Sequence, residues 1–324
     1  MTLCTTRPRS RRWVALVAAA ALSVTSVWGT AAASASASAS AAEPGVQAVV
    51  DAGVDNAAAQ GIRQGVTVVD RADGTVLASH NGEAVFNSES ILKLFTAAYY
   101  LIQADGQPDE DTAGALRTMI AVSDDTIQSD LWRRDIVPTI ADRYGLVSTT
   151  NANNASSRNW GSGKITPDDQ ARFLWGISQD QVVGPWLMQW MAASEPTAAD
   201  GFDQTFGLNA VTGDHGSKQG WSDFGWSPYN IHSVGWTGRF FVAVLQSSTT
   251  AGSNTMKATS TFTAQALTDL TNTMYPPAIP PEVAPAVLDC DADEWLDAVL
   301  LRVVVRPMDV ALSTAAGTET WCAT

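Results

Sequence analysis

Strand-forming sequence falls into two blocks that lie far apart in this chain, and any fold the chain adopts must bring them together. The first block, Val66-Thr67-Val68-Val69-Asp70 and Thr75-Val76-Leu77-Ala78-Ser79, flanks Ala72-Asp73-Gly74 as hairpin strands flank a turn. The second, at 217–222, 231–235 and 239–246, reads as three short strands broken by turns at 225–230 and 236–238. Between the blocks, from Ser90 to Ser194, apolar residues recur at helical spacing and few runs suit a strand. A helix at 46–60 precedes the first block and another at 261–274 follows the second. The two ends therefore make one α/β unit, split by an all-helical insertion, and the junction of two such units is a common place for a cleft.

The insertion opens with a lysine on an apolar face. Ile91, Leu94, Phe95, Ala98 and Leu101 recur at helical spacing, so Ser90 sits in the first turn and Lys93 projects from the same face within reach of its hydroxyl. A serine hydroxyl becomes a nucleophile when a neighbour takes its proton, and a buried lysine with a lowered pKa can do so. The helix N-terminus also favours the negative charge that develops in acyl transfer. Farther on, Asp109 to Asp111 open a helix through Leu116, Met119 and Ile120, and 131–144 continues helical up to Gly145. The stretch 147–163 is rich in Asn, Ser and Gly and lacks apolar periodicity, so it is a long loop of the kind that tends to be functional. Thr166 as N-cap, Pro167 at the first helical position and the acids Asp168 and Asp169 then open a helix at 170–177. Trp175, Trp186 and Trp190, with Leu187 and Met188, read as packing residues.

A chain of 324 residues, 45% hydrophobic and 16% charged, suits one large domain or two small ones. Arg7, Arg9, Arg11 and Arg12, the apolar run 13–27 and the small-residue tract 29–42 form a signal peptide over 1–42. Its removal takes away four arginines and no acids, moving the formal charge from −14 to −18. Nucleic acid and anionic membranes are poor partners for so acidic a chain. No lipid-accepting cysteine follows the apolar run, so a secreted protein with no stable membrane anchor is expected. Cys4 leaves with the leader; Cys290 and Cys322 remain, and a disulfide between them is the expectation in an oxidising compartment. His80, His215 and His232 are scattered, so neither a metal site nor a cofactor is expected. The main domain is 43–275, with its α/β part at 43–85 and 202–275 and its helical part at 86–201. A proline-rich linker at 276–287 leads to an extension at 288–324, whose apolar run 298–305 is too short to span a membrane.

Two more stretches pair with Ser90 and Lys93. Ser123-Asp124-Asp125 follows the helix that ends near Val122, and Lys218-Gln219-Gly220 lies on a predicted strand, where the glycine lets another backbone approach closely. Together these resemble, in order and in placement, the Ser-x-x-Lys, Ser-Asp-Asn and Lys-Thr-Gly set of class A β-lactamases and penicillin-binding proteins. The likeness covers roughly Gln47 to Met274, including the helix opening at Thr166-Pro167. It implies an antiparallel sheet flanked by N- and C-terminal helices, with a helical insertion, as in the β-lactamase/transpeptidase fold. It also implies a serine hydrolase that forms an acyl-enzyme with a β-lactam or a peptidoglycan-like amide. In that scheme Ser90 attacks, Lys93 accepts or shuttles its proton, and Ser123 passes a proton to the leaving nitrogen. Lys218 supplies positive charge for a substrate carboxylate and depresses the pKa of Lys93, while the N–H groups of Ser90 and Trp221 hold the oxyanion. Asp125, Gln219, Gly220 and Trp221 are the expected substrate-binding residues.

The departures from that pattern carry expectations of their own. Asp125 replaces an asparagine, so it can only accept; it is expected to hold the Lys93 ammonium and to raise its pKa. Gln219 replaces a hydroxyl-bearing residue. Between Leu146 and Thr166, where class A enzymes keep the glutamate that activates the deacylating water, there is no Asp or Glu. Weak β-lactam turnover follows. The alternative is a catalytically impaired relative that binds cell-wall peptide or a protein through the same cleft.

Overall fold

The computed structural model describes residues 44–223 and 225–274. The leader, the linker and the extension with Cys290 and Cys322 lie outside the described residues. The chain begins with helix α1 (Pro44–Ala58), the hairpin β1 (Arg63–Asp70) and β2 (Val76–His80), and a short strand β3 (Phe86–Asn87). Helices α2 (Leu92–Gln103), α3 (Glu110–Ala121), α4 (Asp125–Leu131) and α5 (Ile136–Tyr144) follow. After the two-residue strand β4 (Lys164–Ile165) come α6 (Pro167–Gln179) and α7 (Gly184–Ala192). The chain then returns to the sheet with β5 (His215–Trp221), β6 (Tyr229–Thr237) and β7 (Phe240–Ser248), and ends in α8 (Ser253–Met274).

The two blocks of strands join as one antiparallel sheet in the order β2-β1-β7-β6-β5. Strand β1 runs beside β7 with Val66 opposite Val244 and Val68 opposite Val242. Along β7 the side chains alternate faces, as a pleated strand requires, yet all nine residues are buried. Phe240, Val242 and Val244 join Val46, Val50 and Val54 of α1 and Ala264 and Leu267 of α8 in one core. Phe241, Ala243 and Leu245 face the other way, into a larger core with Leu94, Phe95 and Ala98 of α2 and Phe173 and Leu174 of α6. Phe95 stacks on Phe173 at 4.6 Å and 22°, a pairing worth about 0.5–1.5 kcal/mol beyond the area it buries. Trp190 is in that core, and Trp175 and Trp186 pack at its edge.

Three local expectations need correction. The helix expected over 131–144 is interrupted: α4 stops at Leu131 and α5 starts at Ile136. Pro138 explains the break, since its ring would collide with the Arg134 carbonyl of a continuous helix and it has no N–H to donate. The last helix starts at Ser253, well before residue 261. Its buried face is largely threonine and serine, which apolar periodicity cannot register. Ser90 lies in a 3-10 turn (Glu89–Ile91) just ahead of α2, so the helix proper begins two residues after it.

The cap at Thr166 forms as the sequence suggests, its hydroxyl accepting from the Asp169 N–H at 3.2 Å. The two acids beyond it have tertiary work. Asp168 accepts from the hydroxyls of Thr67 on β1 (2.5 Å) and Ser79 on β2 (3.1 Å), tying α6 to the hairpin. Asp169 is buried and accepts from the N–H groups of Val147 and Ser148 and from the Thr149 hydroxyl, which fixes the entry of the long loop. Its exit is held where β3 pairs with β4 and where the Ser88 N–H donates to the Gly163 carbonyl at 2.7 Å. Asp169→Ala strands three donors and should cost about 2–4 kcal/mol. Thermal melts should show that loss together with faster proteolysis inside 147–163, and an unchanged melt would remove Asp169 as the anchor.

Candidate active site

Four polar side chains from three distant segments meet under the Ser90 turn. Glu89 is held in the left-handed region at φ +44°, a conformation unusual for a residue with a side chain. The turn that follows leaves Ser90 only 5% exposed and aims its hydroxyl at Lys93, with Nζ and Oγ 2.6 Å apart. Ser123 occupies a second left-handed position, at φ +55°, in the bend between α3 and α4. Asp124 caps α4 by accepting from the Ile127 N–H at 2.9 Å, which sets the angle of that bend. The Ser123 oxygen lies 3.2 Å from Lys93 Nζ and 2.8 Å from Lys218 Nζ, so one hydroxyl bridges two amines. Gly220 makes the meeting possible: a Cβ there would stand 3.3 Å from the Ser90 nitrogen, so a bare backbone lets β5 come against the turn.

Both lysines are fully buried. Burial lowers the pKa of Lys93, and Asp125, whose Oδ1 lies 2.5 Å from Nζ, pulls it back up without overcoming the desolvation. Asp125 therefore raises the Lys93 pKa, as expected, while burial keeps it below the ordinary value. Lys218 is lowered further, by burial first and by the Lys93 charge second. It donates to Ser123 and to the Gln219 carbonyl. The repulsion between the two amines is mutual, so each disfavours charge on the other. The contacts form a continuous chain of hydrogen bonds from Ser90 through Lys93 and Ser123 to Lys218, along which a proton can move without charging both amines at once.

Gln219 departs from its expected place. It is fully buried, and its amide donates away from the cleft, to the Phe206 carbonyl at 2.7 Å and the Ser233 hydroxyl at 3.4 Å. Trp221 does line the cleft, stacked on Phe202 at 4.5 Å with its indole N–H donating to Asp200 at 3.2 Å. Asp125 lines it too, with its side chain 60% exposed.

The cleft contains residues that the motifs do not single out. Trp160, from the long loop, lays its ring 4.7 Å from Lys93 Nζ and donates its N–H to Ser129 at 3.2 Å. It shields the lysine from water, and its only sequence signal is one aromatic residue in an otherwise polar loop. Glu89, next to the serine, accepts from the Asn230 amide at 2.8 Å and the Ser222 hydroxyl at 3.0 Å. Those bonds staple the Ser90 turn to the strand ends of β5 and β6. Burial, reinforced by Asp223 and only partly offset by the two donors, pushes its pKa up to about 7. His232 backs this corner: burial lowers its pKa to about 4, and the neutral ring meets the Asn87 carbonyl through Nε2 at 2.8 Å and accepts from the Gln246 N–H through Nδ1.

Glu89 has a consequence for stability. A carboxyl whose proton is held more tightly in the folded chain stabilises it below the unfolded pKa of 4.5, and that contribution is lost as pH rises through about 7. Glu89→Gln keeps an acceptor oxygen and cannot ionise. Relative to the parent it should gain stability as pH goes from about 5 to about 8. Thermal melts at both ends test this, and a difference that ignores pH would place the burial of Glu89 in doubt.

No established family description matches the sequence. Proteins named "Putative lipoprotein LppW" from Mycobacterium tuberculosis and Mycobacterium bovis are 30% identical to it over 240 residues, covering 68% of this chain and 72% of theirs. Among solved structures, the TLA-3 extended-spectrum β-lactamase matches with a TM-score of 0.58 at 14% identity, over 69% of this chain and 98% of its own. A β-lactamase from Chitinophaga pinensis matches with 0.57 at 15% identity, over 70% of this chain and 100% of its own. One from Sphaerobacter thermophilus matches with 0.56 at 17% identity, over 71% and 98%. The fold is therefore that of the β-lactamases.

Proposed function

The chain belongs to the family of the mycobacterial LppW proteins, and on that footing we infer that it is an exported serine acyl-transfer enzyme with slow turnover. One observation carries this reading: the Ser90 hydroxyl lies 2.6 Å from the nitrogen of a fully buried lysine whose pKa is lowered. A neutral Lys93 takes the Ser90 proton as Oγ attacks an amide carbonyl, and the N–H groups of Ser90 and Trp221 receive the oxyanion. Ser123, bonded to both amines, returns the proton to the leaving nitrogen, and Lys218 reloads the relay. Release of the acyl group is the slow half. The loop from Leu146 to Thr166 offers no carboxylate to activate water. The arginine-led apolar run at the N-terminus supports export. The LppW relatives are named as lipoproteins, whereas the cysteines here stand at positions 4, 290 and 322, which supports release.

A second reading has its own support. Asp125 holds Lys93 at 2.5 Å where an amide would leave it freer, which suits a relative that binds cell-wall peptide without turning it over. Incubation with a penicillin and with an activated ester, followed by intact-mass measurement, separates the two. A persistent acyl adduct on the parent from at least one of the two reagents, absent from Ser90→Ala, is expected. No adduct from either reagent would favour the binding module, and rapid hydrolysis of the adduct would contradict the argument from the missing acid. Asp125→Asn removes the contact that raises the Lys93 pKa and should speed acylation about tenfold for each unit that the amine falls. A slower variant would mean that Asp125 serves the reaction.

A further inference from the structure

Carboxylates dominate the mouth of the cleft. Of the side chains lining it beside Ser90, Glu89, Asp125 and Asp223 are acids, Glu89 with its pKa raised by burial to about 7, and Arg158 is the one cation in that lining. Asp200 stands behind Trp221 and acts electrostatically on both lysines. Those lysines do not present positive charge outward. Neither has exposed surface, and their nitrogens are engaged by Ser90, Ser123, Asp125 and the Gln219 carbonyl.

The neighbouring strand brings no relief. Opposite Lys218, Gln219, Gly220 and Trp221 on β5 stand Val234, Ser233, His232 and Ile231 of β6, which include no lysine or arginine. His232 is buried and neutral. The Gln219 amide, the donor nearest in sequence to Lys218, is turned into the fold. Three tryptophans, Trp160, Trp221 and the half-exposed Trp226, line the cleft together with Ser129, Asn159 and Ser162. An anion entering here meets the like charge of Asp125 and Asp223, with Arg158 as the one opposing cation in the lining. An ammonium group meets opposite charge and aromatic surface, which together hold cations well when water is partly excluded.

Resting on the acyl-transfer reading of Ser90, we propose that the substrate is an amide or ester whose acyl part carries an ammonium group and which has no carboxylate beside the scissile carbonyl. Penicillins, each with a carboxylate near the lactam nitrogen, then rank as poor acylating agents, and substrates rich in diamino acids rank as good ones. Arg158 lies at the mouth as a single charge facing Asp125 and Asp223, with Asp200 behind Trp221, and does not reverse the preference.

The test separates binding from chemistry. Ser90→Ala protein is titrated by NMR with three ligands that differ in one group: the α-amides of Nα-acetyl-lysine, Nα-acetyl-norleucine and Nα-acetyl-glutamate. The lysine ligand should bind about tenfold tighter than the norleucine ligand, and the glutamate ligand more weakly than both. The preference should shrink in about 0.5 M salt and in the Glu89→Gln/Asp223→Asn double variant. Equal affinities, a preference for glutamate, or no saturable binding of the lysine ligand overturns the proposal. Parent protein is then given p-nitrophenyl esters of the same three acyl groups. If no adduct forms while the binding order stands, the hydrolase reading fails and the ligand class survives. If adducts form fastest with the glutamate ester, the ligand class fails and the hydrolase survives.

Discussion

Two amines buried on either side of one serine oxygen are the constraint around which the rest of this fold is arranged. Burying an uncompensated ammonium costs several kcal/mol, and two facing each other cost more, so such an arrangement persists only where the surroundings hold it. Here Ser123 bridges Lys93 and Lys218, Asp125 compensates one of them, and the Trp160 ring lies over the other face of Lys93. The groups that meet here come from separate parts of the chain. Ser123 is offered by a left-handed bend between two helices, Lys218 by a strand of the far block, and Trp160 by a loop anchored at both ends. The helical insertion and the sheet are thus joined by polar chemistry at a point where an ordinary domain would place leucine.

Much of this could be read from residues alone, and the reasons are local. The strands were legible because β1, β6 and β7 combine β-branched and aromatic residues with tight turns. Ser90 and Lys93 were legible because a charged residue on an apolar helical face contradicts the pattern around it. The start of α8 was not, since Thr259, Ser260 and Thr263 are buried there with little apolar surface. Helical threonines bond back to the preceding turn, as Thr263 does to the Thr259 carbonyl, so they bury cheaply and look polar on paper. Gln219 and Glu89 were illegible for another reason. Gln219 is turned by the Phe206 carbonyl, and Glu89 is fixed by Ser222 and Asn230 more than a hundred residues away. No local pattern encodes a partner at that distance.

The likeness to β-lactamases and the departures from them fall on different parts of the molecule. The sheet and its flanking helices keep the common arrangement at 14–17% identity. The residues that depart from the motifs the sequence resembles are Asp125, which lines the cleft, Gln219, which is turned into the fold, and the acid-free loop between Leu146 and Thr166. Asp169 pins the base of that loop from within α6, so its path is held by the scaffold while its tip is free to vary in chemistry. A fold that fixes loop roots independently of loop tips can exchange one substrate for another without rebuilding its core.

The strand order β2-β1-β7-β6-β5 also governs when the molecule can take shape. Residues 63–70 find their central partner only in residues 240–248. Most of the polypeptide must leave the ribosome before the middle of the sheet can close, and closing so long a loop is slow. The central pairing is therefore among the last contacts to form, after both ends of the domain are present.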